Sequence, residues 1–255
     1  MGVWGKVFGG FAGFAVGGPL GALFGAAAGH AVDRMRDDAA DSPPERPRLG
    51  ASSDIFHSSR EAAFSVAVIV LGAKLAKADG TVSRAEVDAF KQVFRVPPGE
   101  VRNVARIFDA AKGDAKGFEP YARQVALLFR REPAVLDELL GGLFHIARAD
   151  GAVNATELAF LRRVGDIFGF DAARFAQVRN RFLPAQTRDA YAILGIARTA
   201  SDDAVKKAYR RLIRENHPDT LVARGLPREM LAQANEKMAV INAAYDDIAK
   251  QRGLT

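Results

Sequence analysis

Apolar residues recur at spacings of three and four along the middle of the chain, as in Phe64, Ala67, Val68 and Leu71. This spacing predicts helices with a buried face. No alternating pattern of strand length accompanies it, so the sequence predicts an all-α protein. Glycine and proline divide residues 55–183 into about seven segments, which we expect to form a compact helical bundle, called the middle domain below.

A second helical pattern occupies residues 188–255, called the C-terminal domain below. Residues 189–196 are a short apolar helix ended by Gly195, and Ser201 is the predicted N-cap of the next helix. Because Pro218 disfavours helical backbone in the residue before it, that helix should end near Asn216. Its buried stripe comprises Val205, Ala208, Tyr209 and Leu212. A third helix has an apolar face of Met238, Ile241, Ala244, Tyr245 and Ile248.

The helix that follows Ser201 also carries a group of cations. Spacings of three and four place them beside one another on its exposed surface. They are Lys206, Lys207, Arg210, Arg211 and Arg214. The tripeptide His217-Pro218-Asp219 comes directly after the helix. The sequence therefore predicts a turn that carries an imidazole and a carboxylate at the end of a strongly basic helix.

Residues 1–36 are rich in glycine, and no charged residue lies between Lys6 and Asp33. Since a helix of about 20 apolar residues crosses a bilayer, we favour a single transmembrane helix. A glycine at every fourth position lets two such helices approach closely, which predicts a homodimer. The glycines concerned are Gly9, Gly13, Gly17, Gly21 and Gly25. A cleaved signal peptide, a helical hairpin and a flexible tail are the alternatives.

Residues 37–54 are rich in Pro, Asp, Ser and Arg and predict an exposed linker. The positive charges beside the predicted span are more numerous on its C-terminal side, at Arg34, Arg36, Arg46 and Arg48. Because positive residues favour the cytoplasmic side, we expect the bulk of the chain to lie in the cytoplasm.

The composition excludes several kinds of chemistry. The chain has no cysteine, which rules out disulfides, thiol nucleophiles and zinc sites built on thiolates. Its four histidines lie far apart, with no pair at the spacing of metal ligands on a helix. The formal net charge is +6, but Lys and Arg are mostly interspersed with Asp and Glu. No aromatic residues alternate with the cations, so we expect no nucleic-acid partner. We also expect no cofactor and no enzymatic activity.

An internal repeat relates residues 76–87, AKADGTVSRAEV, to residues 147–158, ARADGAVNATEL. Each copy predicts a helix, a turn containing glycine, and a second helix that begins with a capping box. The repeat resembles the TerB-like domain associated with tellurite resistance, over most of the middle domain. The resemblance implies a metal site at the two turns, formed by Asp79, Glu86, Asp150 and Glu157. Helix capping and turn formation explain the same four residues without an ion.

The C-terminal domain resembles the J domain of DnaJ-type co-chaperones. The matching residues are Tyr191, Leu194-Gly195, the run KKAYRRL at 206–212, the HPD tripeptide at 217–219 and INAAY at 241–245. The resemblance implies that the basic helix binds an acidic patch on a DnaK-type Hsp70, and that the HPD turn promotes ATP hydrolysis by this partner. J domains often have a cation and an aromatic residue just before HPD, where this chain has Glu215 and Asn216.

The order of the three parts resembles the DjlA-type, membrane-anchored DnaJ-like proteins of Gram-negative bacteria. That resemblance covers essentially the whole chain. It implies a single span of the bacterial inner membrane, a cytoplasmic J domain, and the function of a membrane-tethered co-chaperone. The alternative is an envelope-stress or ion-responsive scaffold, in which the TerB-like domain binds a metal or a partner protein.

Overall fold

The computed structural model describes residues 51–78, 84–93, 101–112 and 117–254. Every regular element within these ranges is helical, which confirms the predicted all-α class. The described part of the middle domain contains seven α-helices, in agreement with the number of segments in the sequence. They are α1 (Ala51–Ala76), α2 (Arg84–Val93), α3 (Val101–Lys112), α4 (Glu119–Leu128), α5 (Pro133–Ala147), α6 (Ala155–Ile167) and α7 (Ala172–Arg181).

Helix α1 is the centre of the bundle. Every residue from Ala63 to Ala76 is buried, as expected for a helix that is apolar on all sides. Helices α3, α4, α5 and α6 pack around it. At Gly72 a Cβ atom would lie 3.0 Å from Ile146 Cδ1, so α1 and α5 pack closely because this glycine has no side chain. The helix begins at Ala51, inside the predicted linker 37–54, where small and polar residues suit a first turn.

The second copy of the repeat has the predicted form. Helix α5 ends at Ala147, and α6 begins after Asn154. The Asn154 Oδ1 atom accepts a hydrogen bond from Glu157 N at 2.9 Å, and Glu157 Oε2 accepts one from Asn154 N at 2.8 Å. This reciprocal pair is the predicted capping box. In the first copy, α1 ends at Ala76 and α2 begins at Arg84, and residues 79–83 of the turn lie outside the described residues.

The described part of the C-terminal domain consists of four α-helices and one short 3₁₀ turn. The helices are α8 (Ala190–Leu194), α9 (Asp202–Asn216), α10 (Pro218–Ala223) and α11 (Leu231–Arg252), and the 3₁₀ turn is Arg228–Met230. Another 3₁₀ turn, Ala185–Thr187, precedes the domain. Helices α9 and α11 pack together, with the rings of Tyr209 and Tyr245 stacked at 4.1 Å between centroids. Helix α10 is absent from the sequence prediction. It begins with Pro218 at its first position, where the missing N–H costs nothing.

The C-terminal domain has a small core of its own but also contributes to the core of the middle domain. Leu221, Leu226, Met230 and Ala234 are buried among the apolar side chains of the seven-helix bundle. They come from α10, from the segment that follows it and from the start of α11. The core of the middle domain therefore contains side chains from both domains, although the sequence predicts residues 55–183 and 188–255 as separate units.

A buried group of charged side chains also joins the two domains, and we call it the charge cluster. Asp137 and Glu138 of α5 face Arg174 and Arg181 of α7 and Lys237 of α11. Lys237 Nζ donates hydrogen bonds to both carboxylates. Burial raises the pKa of Asp137, but attraction to Arg181, Lys237 and Arg174 outweighs burial and holds that pKa well below its usual range.

Among residues 51–78, 84–93, 101–112 and 117–254, no helix is both long enough and apolar enough to cross a membrane. The predicted transmembrane helix of residues 1–36, including its glycine stripe, lies outside the described residues.

Candidate functional site

The basic helix predicted after Ser201 is α9. The Ser201 hydroxyl accepts a hydrogen bond from Ala204 N at 3.3 Å, and Asp202 and Asp203 lie in the first turn, where negative charge is favoured. The predicted stripe is buried at Val205, Ala208 and Leu212, while Tyr209 is half-buried. The five cations occupy the remaining surface. Lys206 is half-buried, and Lys207, Arg210, Arg211 and Arg214 are exposed.

The exposed cations of α9 are largely free to meet a partner. Within the described part of the chain, Lys207, Arg211 and Arg214 form no ion pair with a carboxylate. Arg210 Nε donates to the Lys206 carbonyl oxygen at 3.3 Å, a contact within the helix. At Lys207, Arg210, Arg211 and Arg214 the predicted binding face is thus a positive surface without a carboxylate partner among the described residues, suited to an acidic partner.

The HPD tripeptide lies between α9 and α10. Helix α9 ends at Asn216, as the sequence predicts, and His217 leaves the helical conformation at φ −58° and ψ 132°. His217 also serves as N-cap of α10, because Asp219 N donates a hydrogen bond to His217 Nδ1 at 3.3 Å. The local hydrogen bond fixes the ring relative to the turn.

The polar side chains of the tripeptide, His217 and Asp219, face solvent. The Asp219 side chain is 95% exposed and the His217 side chain 52% exposed, with 3.8 Å between Asp219 Oδ2 and His217 Nδ1. Next to them lies a shallow groove of about 320 Å³. It is lined by Tyr209, Arg210, Ile213, Arg214, His217 and Thr220. The structure therefore brings His217 together with Arg210 and Arg214 of α9 at one open surface.

Three residues of this groove were not among the predicted site residues. Tyr209 and Ile213 are half-buried at the edge of the apolar stripe, and Thr220 is in the first turn of α10. The Tyr209 hydroxyl donates to Asn242 Oδ1 on α11 at 3.1 Å, which holds the groove wall against the opposite helix. The signal in the sequence was the position of Tyr209 and Ile213 beside the cations.

Arg252, close to the C-terminus, ties the beginning of the C-terminal domain to its end. Its Nε atom donates to the Tyr191 hydroxyl at 2.9 Å, and its Nη1 atom donates to the Ala200 carbonyl oxygen at 2.6 Å and to Asp202 Oδ1 at 3.0 Å. The hydrogen bond with Tyr191, followed by that with Asp202, raises the pKa of Arg252. These contacts hold the start of α9 against the last turn of α11. The start of the basic helix is thereby fixed to α11.

The structure does not bring the four predicted metal ligands together within the described residues. Asp79 and the Glu86 side chain lie outside the described residues. Asp150 is exposed, and Glu157 is buried with its carboxylate in the capping box. Within the described ranges, no group of three or more His, Asp or Glu side chains is placed to hold a metal ion. The metal site therefore stays a prediction.

Comparison with protein families assigns all three parts of the chain. The family described as co-chaperone DjlA transmembrane domain matches residues 1–46. The family described as tellurite resistance protein TerB matches residues 65–180, and the DnaJ domain matches residues 189–252.

Individual relatives match nearly end to end. A co-chaperone protein DjlA from Coxiella burnetii is 30% identical over 98% of this chain and 98% of the relative. One from Photobacterium profundum is 32% identical over 98% and 99%, respectively. One from Haemophilus influenzae is 54% identical over 65 residues, which is 26% of this chain and 23% of the relative. No solved structure matches the chain.

The helical fold, the HPD turn at the end of the basic helix and the DnaJ match define a J-domain co-chaperone with a TerB-like middle domain. The near-complete alignments with relatives of the same name are more specific. The chain belongs to the DjlA family of co-chaperones.

Proposed function

We propose that this protein is a membrane-tethered co-chaperone that recruits a DnaK-type Hsp70 and stimulates its ATP hydrolysis. The observation that carries the proposal is the exposed HPD turn at the end of a helix whose exposed cations, Lys207, Arg210, Arg211 and Arg214, form no ion pair with a carboxylate within the described residues. The chain supplies charge and shape to its partner, and the hydrolysis takes place on the Hsp70.

The basic helix and the HPD turn have different roles in the proposed complex. Exposed charges accelerate encounter with an oppositely charged surface and orient it, and salt weakens this effect. Lys206, Lys207, Arg210, Arg211 and Arg214 therefore steer an acidic surface of the Hsp70 onto α9. His217, Pro218 and Asp219 then contact the partner at the end of the helix, where specific hydrogen bonds depend on the geometry of the turn.

The membrane attachment is supported by the match of residues 1–46 to the DjlA transmembrane domain. Our proposal includes a single span of the bacterial inner membrane, with residues 37–255 in the cytoplasm, where ATP and Hsp70 are present. Positive residues on the C-terminal side of the apolar stretch favour this orientation. We further propose that the glycine stripe pairs two copies in the bilayer.

The test is single-turnover ATP hydrolysis by DnaK with the full chain in lipid nanodiscs. We expect the wild type to accelerate hydrolysis and His217→Gln to abolish the acceleration. His145→Gln is the matched control, since His145 lies on α5, away from the groove, and this variant should retain stimulation. A well-folded wild type that leaves the hydrolysis rate unchanged would contradict the proposal.

A further inference from the structure

The charge cluster meets the end of the basic helix at a small cavity between the two domains. The cavity measures about 10 Å³. Its polar lining comes from Asp137, Arg174, Gln177 and Arg181 of the middle domain and from Asn216 and Lys237 of the C-terminal domain. Asn216 is the last residue of α9, and His217 of the HPD turn follows it. The cavity therefore joins the charge cluster to the residue that precedes the candidate functional turn.

Asn216 Oδ1 is a buried acceptor of this lining that has no hydrogen-bond partner among the described residues. The arginine atoms Arg174 Nε and Arg181 Nη2 of the same lining lie 3.4 Å and 3.3 Å from the Asp137 carboxylate oxygens, in ion pairs of the charge cluster. The cavity therefore places an acceptor of the C-terminal domain in one lining with the donors of the middle domain.

A hydrogen bond within α9 orients the Asn216 side chain. Asn216 is 3% exposed, and its Nδ2 atom donates to the Leu212 carbonyl oxygen at 2.7 Å. The bond directs the amide nitrogen back along α9. The carbonyl oxygen of the amide belongs to the cavity lining.

We propose that Asn216 is a positioning residue through which the charge cluster of the middle domain sets the geometry of the HPD turn. The proposal rests on the Hsp70 stimulation proposed above. It explains why a polar residue occupies a buried position next to His217. It also gives the middle domain a role in co-chaperone activity, since Arg174 and Asp137 then act on the turn from outside the J domain.

The first experiment uses Asn216→Leu in the full chain in nanodiscs, with Asn235→Leu, at an exposed site on α11, as control. The substitution removes the amide and retains similar volume. We expect maximal stimulation of DnaK to fall about tenfold while the half-saturating concentration changes less than about twofold, because the cations of α9 are untouched. A parallel loss in the control, or a change confined to the half-saturating concentration, would overturn the assignment.

A double-mutant cycle tests the link between the domains. Arg174→Met removes a donor from the cavity and leaves its apolar stem, and Arg179→Met alters an exposed arginine of the same helix. If Asn216 and Arg174 act through the cavity that both of them line, the effects of the two substitutions on maximal stimulation are non-additive. Purely additive effects would contradict a shared role.

A measurement without Hsp70 separates this inference from the proposed function. The imidazole resonance of His217 is identified in NMR spectra by its loss in His217→Gln. We expect Arg174→Met to shift this resonance and Arg179→Met to leave it in place. If Arg174→Met shifts the resonance but wild type does not stimulate DnaK, the charge cluster does influence the HPD turn and the proposed function is wrong. If wild type stimulates and the resonance does not respond to Arg174→Met, the positioning role is wrong.

Discussion

Lys237, on the last helix of the chain, donates a hydrogen bond of 2.7 Å to the Glu138 carboxylate on α5, 99 residues earlier. Both side chains are buried, and Asp137 is the second carboxylate partner of Lys237. The pair connects the J domain to the TerB-like domain across their common boundary. The J domain is therefore held in a defined position on the middle domain.

Replacement of Lys237 by methionine should destabilise the protein strongly. The substitution removes the buried hydrogen-bond donor shared by Asp137 and Glu138, and breaking a buried ion pair costs about 3–5 kcal/mol. We expect this loss in the free energy of unfolding, measured by urea denaturation of the full chain in nanodiscs. Lys250→Met is the control, because Lys250 is exposed on the same helix and should matter little. Equal stability of the two variants would mean that the cluster contributes nothing.

Acid should weaken the same cluster through Asp137. A carboxyl whose pKa is lower in the folded than in the unfolded state stabilises the fold above its unfolded pKa. That stability is lost as the pH falls through about 3.9, the ordinary value for aspartate, towards the lowered pKa. We expect the free energy of unfolding to fall between about pH 5 and pH 2. The free energy of unfolding should fall less steeply with decreasing pH in Asp137→Asn than in wild type. In Asp166→Asn this pH dependence should be unchanged, because the Asp166 carboxylate forms an exposed ion pair with Arg162.

Charge reversal on α9 should weaken binding of the Hsp70 without loss of the turn. We expect Arg211→Glu to raise the half-saturating concentration of the co-chaperone about tenfold in low salt, because an exposed cation mainly affects electrostatic encounter. The difference from wild type should shrink as ionic strength rises. Arg123→Glu, at an exposed site on α4, is the matched control. A difference independent of salt would indicate a structural effect.

Glu157 distinguishes helix capping from metal binding. Glutamine preserves the acceptor of the capping box, whereas alanine removes it at a cost of about 1 kcal/mol. We therefore expect Glu157→Gln to approach the stability of wild type and Glu157→Ala to fall below it, in urea titrations with EDTA. If Ca²⁺ raises the unfolding temperature of wild type but not of Glu157→Gln, the ion-responsive alternative gains direct support.

Local patterns allowed much of the fold to be predicted from the sequence. Helix α9 has its cap at Ser201 and its end at Asn216 as the proline rule requires, and the capping box of Asn154 and Glu157 forms as its spacing predicts. Helix α10 is absent from the sequence prediction because a helix of six residues, the first of them a proline, carries too weak a periodic signal.

The contacts between the two domains could not be predicted from local patterns in the sequence. Asp137 and Lys237 lie 100 residues apart, and each alone is typical of an exposed helical residue. Leu226 follows a glycine and precedes a proline, which suggests a loop, yet it is buried in the core of the middle domain. Asn216 was recognised only as a departure from the J-domain pattern. Its place beside the cavity depends on tertiary packing that spacing along the chain does not encode.

The apolar core shared by the two domains has a consequence for synthesis of the chain. Translation proceeds from the N-terminus, and domains generally fold in that order. Leu221, Leu226 and Met230, however, are synthesised after all seven helices of the bundle, and they are buried in its core. The seven-helix bundle therefore completes its packing only when this part of the J domain has emerged from the ribosome.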